Sequence, residues 1–320
     1  MEWKKEFIKL YISNNVTEYG MALELKCKHI PNKLYRYRSL SDETMEYRFG
    51  EIVRGELYMS HPMELNDPFE AKSHMKSNDI VRYAPEKETY EEIFSEKLSQ
   101  EIYTDIFNSE NWLEKLMLYV SEQSGPKDKV EETKDILCNV IMKQYEELNE
   151  VISDLARRMV RFASFTTKPD NLPMWHHYTN GHKGICLEYN TEDLVDIYQK
   201  NMLFPVYYVD RLPDIVYMMH RRIHPEFSLF RYMAMHKLMD WSYEDEWRLI
   251  YDAGSWYYGP EDISKEFWEH GKVIRFICPT RIIMGVNIDE SHENKIKEMA
   301  QLANIPLTKA IQTEYGLKTE

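Results

Sequence analysis

The sequence predicts an α+β fold in which a large helical insertion separates the two halves of a central mixed β-sheet with short helices. Short apolar segments with the two-residue alternation of strands occur before about residue 85 and again after about residue 161. Between them, residues 85–161 are rich in Glu, Lys and Leu and have a helical pattern. This order of elements predicts the α+β architecture.

The first part of the chain predicts an N-terminal helix followed by a strand–helix–strand unit. Residues 3–26 have apolar side chains at helical spacing, and KLYRYRSL and ELYMSHP have the pattern of strands. SDETMEYRFGEIVRG, between those strands, predicts a helix that Ser41 could cap and Gly55 could end. We therefore expect residues 1–30 to form a helical extension that precedes the main domain.

The middle of the chain predicts a helical insertion inside one domain that spans residues 31–320. Within residues 85–161, the segment SGPKD is the chief interruption of the helical pattern. We expect two or three long helices joined by a turn there.

The second part of the chain returns to short elements. RFASFTT and KGICLEYN predict strands, and NLPMWHHYTNG predicts a short helix with Pro173 in its first turn. EFSLFRYMAMHKLMDW then predicts a helix and DEWRLIYDA a strand. The C-terminal part predicts two strands, a helix over about 290–304 and a last strand in IPLTKAI.

Composition and charge limit the classes of protein that fit. Hydrophobic residues make up 43% of the chain, which is enough for a core, and no apolar run approaches the roughly 20 residues that span a bilayer. The charged start MEWKKEFIKLYISNN does not resemble a signal peptide, so we expect a cytoplasmic protein with no membrane partner. The net charge of −14 opposes nonspecific binding to polyphosphate and leaves nucleic acid only a local basic cleft such as ARRMVR.

The pentapeptide NDPFE, residues 66–70, predicts a rigid turn after a strand. Side chains of Asn66 and Asp67 can bond the nearby backbone, and Pro68 stops the strand. If the segment is only a turn, we expect Phe69 in the core and Glu70 in solvent. Turn chemistry gives no reason for the carboxylate of Glu70.

The segment PMWHHYTNGHKG predicts an aromatic wall on a short helix. Trp175 and Tyr178 share a helical face, which serves either as core or as a ligand platform. The neighbouring His176 and His177 point apart on a helix and have no carboxylate at a ligand spacing, so we predict no metal.

The segment WSYEDEWRLIYD predicts a strand that places Glu244, Glu246 and Arg248 on one side. One interpretation is a structural Glu–Arg pair. The other is a carboxylate, oriented by Arg248, that stabilises positive charge developing on a substrate sugar. The sequence leaves both open.

Four segments in this order resemble the bacterial family called domain of unknown function 2971. They are LYRYRSL, LYMSHPMELNDPFE, SFTTKPDNLPMWHHYTNGHKGICLEY and YEDEWRLI, and the resemblance covers about Leu34 to Met284. That family name implies no activity. The family is itself distantly similar to ADP-ribosyltransferase-type NAD-binding folds.

The second resemblance implies a set of roles with NAD as cofactor. Arg36, followed by Tyr37, stands where many relatives have His, and an Arg at this position in one transferase branch contacts the dinucleotide. Glu246 or Glu244 stands where a catalytic Glu is expected. The other implied site residues are Ser164 or Thr166 on the middle strand, Trp175 or Tyr178 as a stacking ring, and Asn66, Asp67, Glu70 and Arg248 as residues that shape the cleft.

Three functions remain as alternatives at this point. The resemblance implies an NAD-dependent ADP-ribosyl transfer to a macromolecule or nucleotide. The same pocket could instead serve a noncatalytic nucleotide or protein sensor. A metal-dependent nuclease would need acids clustered near His176 or His177. The sequence leaves the acceptor and the oligomeric state open.

Overall fold

A seven-stranded β-sheet forms the centre of the larger of two units in the computed structural model. The structure describes residues 2–75, 87–109, 111–124, 130–194, 197–215, 218, 228–253 and 270–319. The sheet unit comprises Met1–Ala71, Ala156–Arg211 and His224–Glu320, and the helical unit comprises Lys72–Leu155 and Leu212–Ile223.

The strands of the described residues are, in chain order, β1 Lys33–Arg38, β2 Glu56–Met59, β3 Val160–Thr166, β4 Ile185–Asn190, β5 Leu203–Pro205, β6 Tyr207–Val209, β7 His236–Leu238, β8 Glu246–Asp252, β9 Lys272–Arg275, β10 Arg281–Met284, β11 Leu307–Lys309, β12 Ile311–Thr313 and β13 Gly316–Lys318. The central sheet has the order β11-β10-β4-β1-β3-β8-β5. Its neighbours are antiparallel except for β10 and β11, which are parallel. The expected mixed sheet and the α+β class are confirmed.

The helices of the described residues are α1 Glu2–Tyr11, α2 Val16–Lys28, α3 Met45–Phe49, α4 Lys87–Phe94, α5 Gln100–Phe107, α6 Trp112–Ser124, α7 Val130–Met159, α8 Leu172–Tyr178, α9 Ile197–Met202, α10 Leu229–Ala234 and α11 Glu290–Ala303. None of these described helices combines the length and the apolar character that crossing a bilayer requires.

The N-terminal segment is two helices rather than the single helix expected over residues 3–26. The side chain of Asn15 accepts a hydrogen bond from the Thr17 N–H and caps α2. Such a cap favours a new helix start over continuation of α1. Helical periodicity alone did not reveal this break.

The segment after β1 begins and ends where the sequence predicts. Ser41 precedes a 3₁₀ turn in a capping box with Thr44, and Gly55 ends the segment in the left-handed conformation at φ 62°. Between them, α3 continues into a π-helix over Gly50–Arg54.

Two helical predictions differ from the structure. Among the described residues of 85–161 there are four helices, α4 to α7, instead of the expected two or three. EFSLFRYMAMHKLMDW gives only the short α10, followed by β7 and a 3₁₀ turn over Met239–Glu244. In both segments the apolar pattern indicated helical structure but not where each helix ends.

Strands β1 and β3 are neighbours in the central sheet but pair over only a short stretch. These strands pair only at Tyr35 and Thr166, whereas β3 and β8 pair from Val160–Asp252 to Thr166–Glu246. Farther along β3, Phe162 bonds the backbone of Ser60 instead of β1. A gap between β1 and β3 follows from this change of partner.

Candidate functional site

Five buried charged residues form one cluster at the start of β8. This charge cluster consists of Glu70, Lys237, Glu244, Glu246 and Arg248. Each is at most 6% exposed. Buried charges are tolerated in proteins only when they are paired and hydrogen-bonded, so the contacts within the cluster determine what it can do.

Arg248 joins two carboxylates from distant parts of the chain. Its Nη1 and Nη2 each donate to a Glu70 oxygen at 2.7 Å, and its Nε donates to Glu246 at 2.7 Å. The guanidinium also stacks over Phe162 at 4.2 Å from the ring centroid. These bidentate contacts fix both carboxylates at the end of the sheet.

Lys237 is shared by the carboxylates of Glu244 and Glu246. Its Nζ donates to Glu244 Oε2 at 2.5 Å and to Glu246 Oε2 at 3.0 Å, and lies 3.7 Å from Glu70. Burial alone would lower the pKa of Lys237, but Glu246 and Glu70 hold it above its ordinary value. The ammonium therefore stays charged and bridges the cluster.

The carboxyl groups of Glu244 and Glu246 differ in their pKa. Burial raises the pKa of Glu244 above its ordinary value, and the charge of Glu246 adds to that effect. Burial also acts on Glu246, but Arg248 and Lys237 outweigh it and hold its pKa well below the ordinary value. Opposite shifts in neighbouring groups are the pattern expected of an acid beside a fixed anion.

Glu244 has a second partner in Tyr178. The Tyr178 hydroxyl donates to Glu244 Oε1 at 2.5 Å, and burial followed by the charge of Glu244 raises the pKa of that phenol. The hydroxyl therefore remains a donor at neutral pH.

Two left-handed residues place the carboxylates of the cluster. Asp245 has φ 43° and separates Glu244, the last residue of the 3₁₀ turn, from Glu246, the first residue of β8. Ala71, beside Glu70, has φ 53°. The sequence predicted Glu244 and Glu246 on one side of a continuous strand. They do meet, at Lys237, but through a left-handed turn rather than through strand alternation.

A cavity of about 150 Å³ opens beside the charge cluster. Its lining from the charge cluster is Glu70, Lys237, Glu244 and Glu246. Other lining residues named from the sequence are Arg36, Tyr37, Asn66, Ser164, Thr166 and Tyr178. Ser164 bonds Glu246, while Thr166 donates to the backbone carbonyl of Glu244. The cavity therefore brings together most of the candidate site residues.

The NDPFE segment supplies the charge cluster with a carboxylate. The Asp67 side chain accepts a hydrogen bond from the Phe69 N–H, which confirms the side-chain turn. Phe69 is 46% exposed and Glu70 is 3% exposed, the reverse of the expectation for a simple turn. The bidentate pairing with Arg248 is the physical reason that Glu70 is buried.

Arg36 reaches the cavity from the other face of the sheet. Leu34, two residues before it, packs in the same core as Trp247, so Arg36 lies on the face opposite Glu246. Its Nη2 donates to the Tyr58 carbonyl at 2.9 Å, while Nε and Nη1 have no hydrogen-bond partner among the described residues. Burial and the charge of Arg38 lower the pKa of Arg36 to about 9.

Trp175 packs in the core behind the cavity, against Tyr37, which lines the cavity. Trp175 is fully buried, donates from Nε1 to the Pro169 carbonyl at 2.8 Å, and meets the Tyr37 ring edge-on at 5.1 Å. Among the described residues that line the cavity, Trp175 is not found, whereas Tyr178 is. Of the two aromatic candidates, Tyr178 is the one that faces the site.

The sequence patterns did not indicate Lys237 or Trp241 as residues of the site. Lys237 connects all three carboxylates, and its Nζ lies 4.8 Å from the Trp241 ring centroid. The available signal was a Lys in the otherwise apolar segment YMAMHKLMDW. Because EFSLFRYMAMHKLMDW was predicted to be one helix, the sequence gave no reason to place Lys237 beside Glu244 and Glu246.

Within the part of the chain that the structure describes, no group of three or more His, Cys, Asp or Glu is arranged to hold a metal ion. His176 and His177 have ring centroids 5.5 Å apart. A nuclease with acids clustered around these two histidines gains no support from this arrangement.

Comparisons with known proteins find a similarity that covers part of the candidate site. A family model described as Protein of unknown function (DUF2971) matches residues 174–249, which include Tyr178, Lys237, Glu244, Glu246 and Arg248. The uncharacterized protein MJ0711 of Methanocaldococcus jannaschii is 32% identical over 103 residues, which are 32% of this chain and 30% of that protein. The chain thus spans less than a third of this curated relative. No solved structure matches.

Proposed function

We propose that the cavity is the active centre of a glycosyl transferase that uses NAD, with Glu244 as the carboxyl group that contacts the substrate. The observation that carries this proposal is the unequal pairing of Glu244 and Glu246 around Lys237. Glu246 is held by both Lys237 and Arg248, whereas Glu244 is held by Lys237 and the Tyr178 hydroxyl. Glu244 therefore keeps more capacity to accept a substrate hydroxyl.

The net charge of the cluster suits cleavage of a nicotinamide–ribose bond. Within the cluster, three carboxylates and two cations leave one excess negative charge when every group is ionised, and Arg36 and Arg38 at the cavity wall lie outside this count. In the proposed reaction, the bonding electrons leave with nicotinamide and positive charge develops on the ribose. A fixed negative site stabilises that charge, while Glu244 accepts a hydrogen bond from a ribose hydroxyl.

The size of the cavity limits which part of NAD it encloses. About 150 Å³ is smaller than the roughly 300–1,000 Å³ of sites that bury drug-sized ligands. We expect the nicotinamide–ribose end to enter the cavity and the rest of the dinucleotide to lie outside it. Nε and Nη1 of Arg36 are buried, and Nη1 lies 3.7 Å from Glu51, so Arg36 shapes the wall of the cavity and does not contact the part of NAD outside it.

A noncatalytic sensor is the second candidate, favoured by a separate observation. Every carboxylate in the charge cluster already has a cationic partner. A sensor needs only the shape and donors of the cavity, so it binds its ligand without turnover.

The test measures NAD binding by calorimetry and free nicotinamide by chromatography, with and without candidate protein or nucleotide acceptors. We expect the wild type to bind NAD and release nicotinamide, and Glu244→Gln to bind NAD but lose release by at least about tenfold. Glu298→Gln, an exposed substitution on α11, is the matched control and keeps wild-type release.

Two outcomes would count against the transferase. Binding with no release in any sample would favour the sensor. A folded wild-type protein that does not bind NAD would contradict the proposed cofactor itself. The folding of each variant is checked by circular dichroism and thermal unfolding.

A further inference from the structure

A second cavity in the sheet unit lies beside three arginine residues. It has a volume of about 400 Å³, and Arg38, Arg48 and Arg54 line it together with Tyr47 and Tyr58. This volume falls within the usual range of small-molecule sites. None of the functions considered above uses this cavity.

The buried carboxylate of Glu51 interacts with three guanidinium groups next to the second cavity. Arg38 donates to both oxygens of Glu51, at 2.8 and 3.0 Å from Nε, and Arg48 Nη1 also donates to Glu51. Arg36 lies 3.7 Å from the same carboxylate. Glu51 can balance only one of these three positive charges.

The arginines hold Glu51 in its ionised form. Burial alone would raise the pKa of Glu51, but Arg38, Arg36 and Arg48 lower it to about 2. The carboxylate is thus fully charged at neutral pH, and an excess of positive charge remains at the floor of the cavity.

Two donor atoms at this floor have no hydrogen-bond partner among the described residues. Nη1 of Arg38 and Nη2 of Arg48 make no such bond, while the other nitrogens of these side chains bond Glu51 or the Ser39 carbonyl. The Arg38 and Arg48 side chains are 19% and 10% exposed. A ligand entering the second cavity can reach donors of both arginines.

Gly55 restricts the backbone beside the second cavity. Gly50 begins the π-helix, and the nearest atom to a Cβ there would be the end of the flexible Glu56 side chain, which can move away. Gly55 ends the π-helix at φ 62°, and its Cβ would lie 2.6 Å from the Phe276 carbonyl oxygen. Single π-helical turns are rare and frequently occur at functional sites.

Two acidic residues at the mouth of the cavity pair with Arg54. Arg54 donates to Glu46 at 3.0 Å and to Glu56 at 2.9 Å. These carboxylates are 79% and 39% exposed, so water screens their charge far more than that of the buried floor. If an anion at the floor draws Arg54 away from Glu46 and Glu56, the loss of these exposed ion pairs costs little free energy.

We propose that the second cavity binds a small ligand through a phosphate group, with Arg38 and Arg48 at the floor and Arg54 at the mouth. Guanidinium groups bind phosphate oxygens through paired, charge-assisted hydrogen bonds. The rings of Tyr47 and Tyr58, with centroids 6.3 Å apart, give the rest of the ligand an apolar surface. Arg38 also lines the first cavity, but the phosphate site does not require the proposed transferase reaction.

The test is calorimetric titration of the full chain with inorganic phosphate and with adenosine monophosphate at low ionic strength. We expect saturable binding that Arg54→Gln weakens about three- to tenfold, because a charged donor at the mouth is lost. Glu46→Gln is expected to tighten binding about two- to threefold, because it removes an opposing charge. Both side chains are substantially exposed, so neither change disturbs the fold.

Arg211→Gln removes the same charge as Arg54→Gln at an exposed position away from the second cavity. Wild-type affinity in this control supports a local site. Equal weakening in Arg211→Gln and Arg54→Gln would show that only net charge matters and would overturn the proposal. Absence of saturable binding of either probe to the wild type would overturn it as well.

Comparison of the affinities for phosphate and adenosine monophosphate tests whether Tyr47 and Tyr58 contribute to binding. Tighter binding of the nucleotide supports the contribution of the tyrosine rings. Equal affinity would retain the phosphate site and contradict the contribution of Tyr47 and Tyr58.

Discussion

Arg248 holds Glu70 through two parallel hydrogen bonds of 2.7 Å, although the two residues lie 178 positions apart in the chain. This pair connects the NDPFE turn to strand β8 of the central sheet. The pairing gives the reason for the carboxylate of Glu70, which turn chemistry leaves unexplained, and makes the turn one side of the candidate site.

Breaking this pair is expected to destabilise the protein. Glu70→Ala leaves the fully buried Arg248 without one of its two carboxylates, and loss of one partner from a buried pair costs about 3–5 kcal/mol. The free energy of unfolding from urea titration measures this effect, with Glu298→Ala as the exposed control. A loss below about 1 kcal/mol would contradict a structural role for the pair.

Removing Lys237 is expected to have a pH-dependent cost. Lys237→Met leaves Glu244 and Glu246 without the ammonium that they share, so their repulsion destabilises the fold at neutral pH. As pH falls, Glu244, whose pKa is raised, takes up a proton before Glu246 does. The difference in unfolding free energy between wild type and variant should therefore shrink at mildly acidic pH. A pH-independent difference would contradict this charge arrangement.

The buried Lys26 gives a second pH effect, at alkaline pH. Its Nζ donates to the Lys200 and Asn201 carbonyls, and burial lowers its pKa to about 7 from the usual 10.5. Between these values the unfolded chain binds a proton that the native state does not, so the contribution of Lys26 to stability rises with pH across this window.

Comparison of wild type with Lys26→Met isolates the Lys26 contribution. From neutral pH to about pH 9, we expect wild type to gain about 1–2 kcal/mol of unfolding free energy relative to the variant. Urea titrations at matched pH values measure that gain. A constant difference would show that Lys26 keeps its ordinary pKa.

The left-handed backbone at Ala71 predicts an unusual response to glycine. At φ 53° an Ala is strained by about 1–2 kcal/mol, and glycine removes most of that strain. We expect Ala71→Gly to be neutral or to stabilise by up to about 1 kcal/mol. Ala22→Gly, at an equally buried position inside α2, should instead destabilise by about 1 kcal/mol. Equal losses in thermal unfolding experiments would contradict strain at Ala71.

Local sequence patterns predicted much of the fold because they depend on neighbouring residues. Pro173 and Asn171 begin α8, and Gly55 ends the segment after β1, each through short-range backbone chemistry. Residues 3–26 were predicted less well, because the Asn15 cap competed with an apolar period that continues past it.

The candidate site was harder to predict because its contacts are long-range. The sequence indicated Glu244, Glu246 and Arg248 from their spacing, yet gave no reason to pair Arg248 with Glu70. Lys237 lay in an apolar segment whose change from helix to strand could not be predicted from periodicity. Charge pairing across distant segments leaves no local pattern in a single sequence.

The most direct test of the proposed active centre is nicotinamide release from NAD by the wild type across mildly acidic to mildly alkaline pH. Because burial and Glu246 raise the pKa of Glu244, we predict that release increases with pH as Glu244 loses its proton, and that Glu244→Gln removes both the release and its pH dependence. Release that is unchanged in Glu244→Gln, or absent from the folded wild type at every pH, would contradict the account.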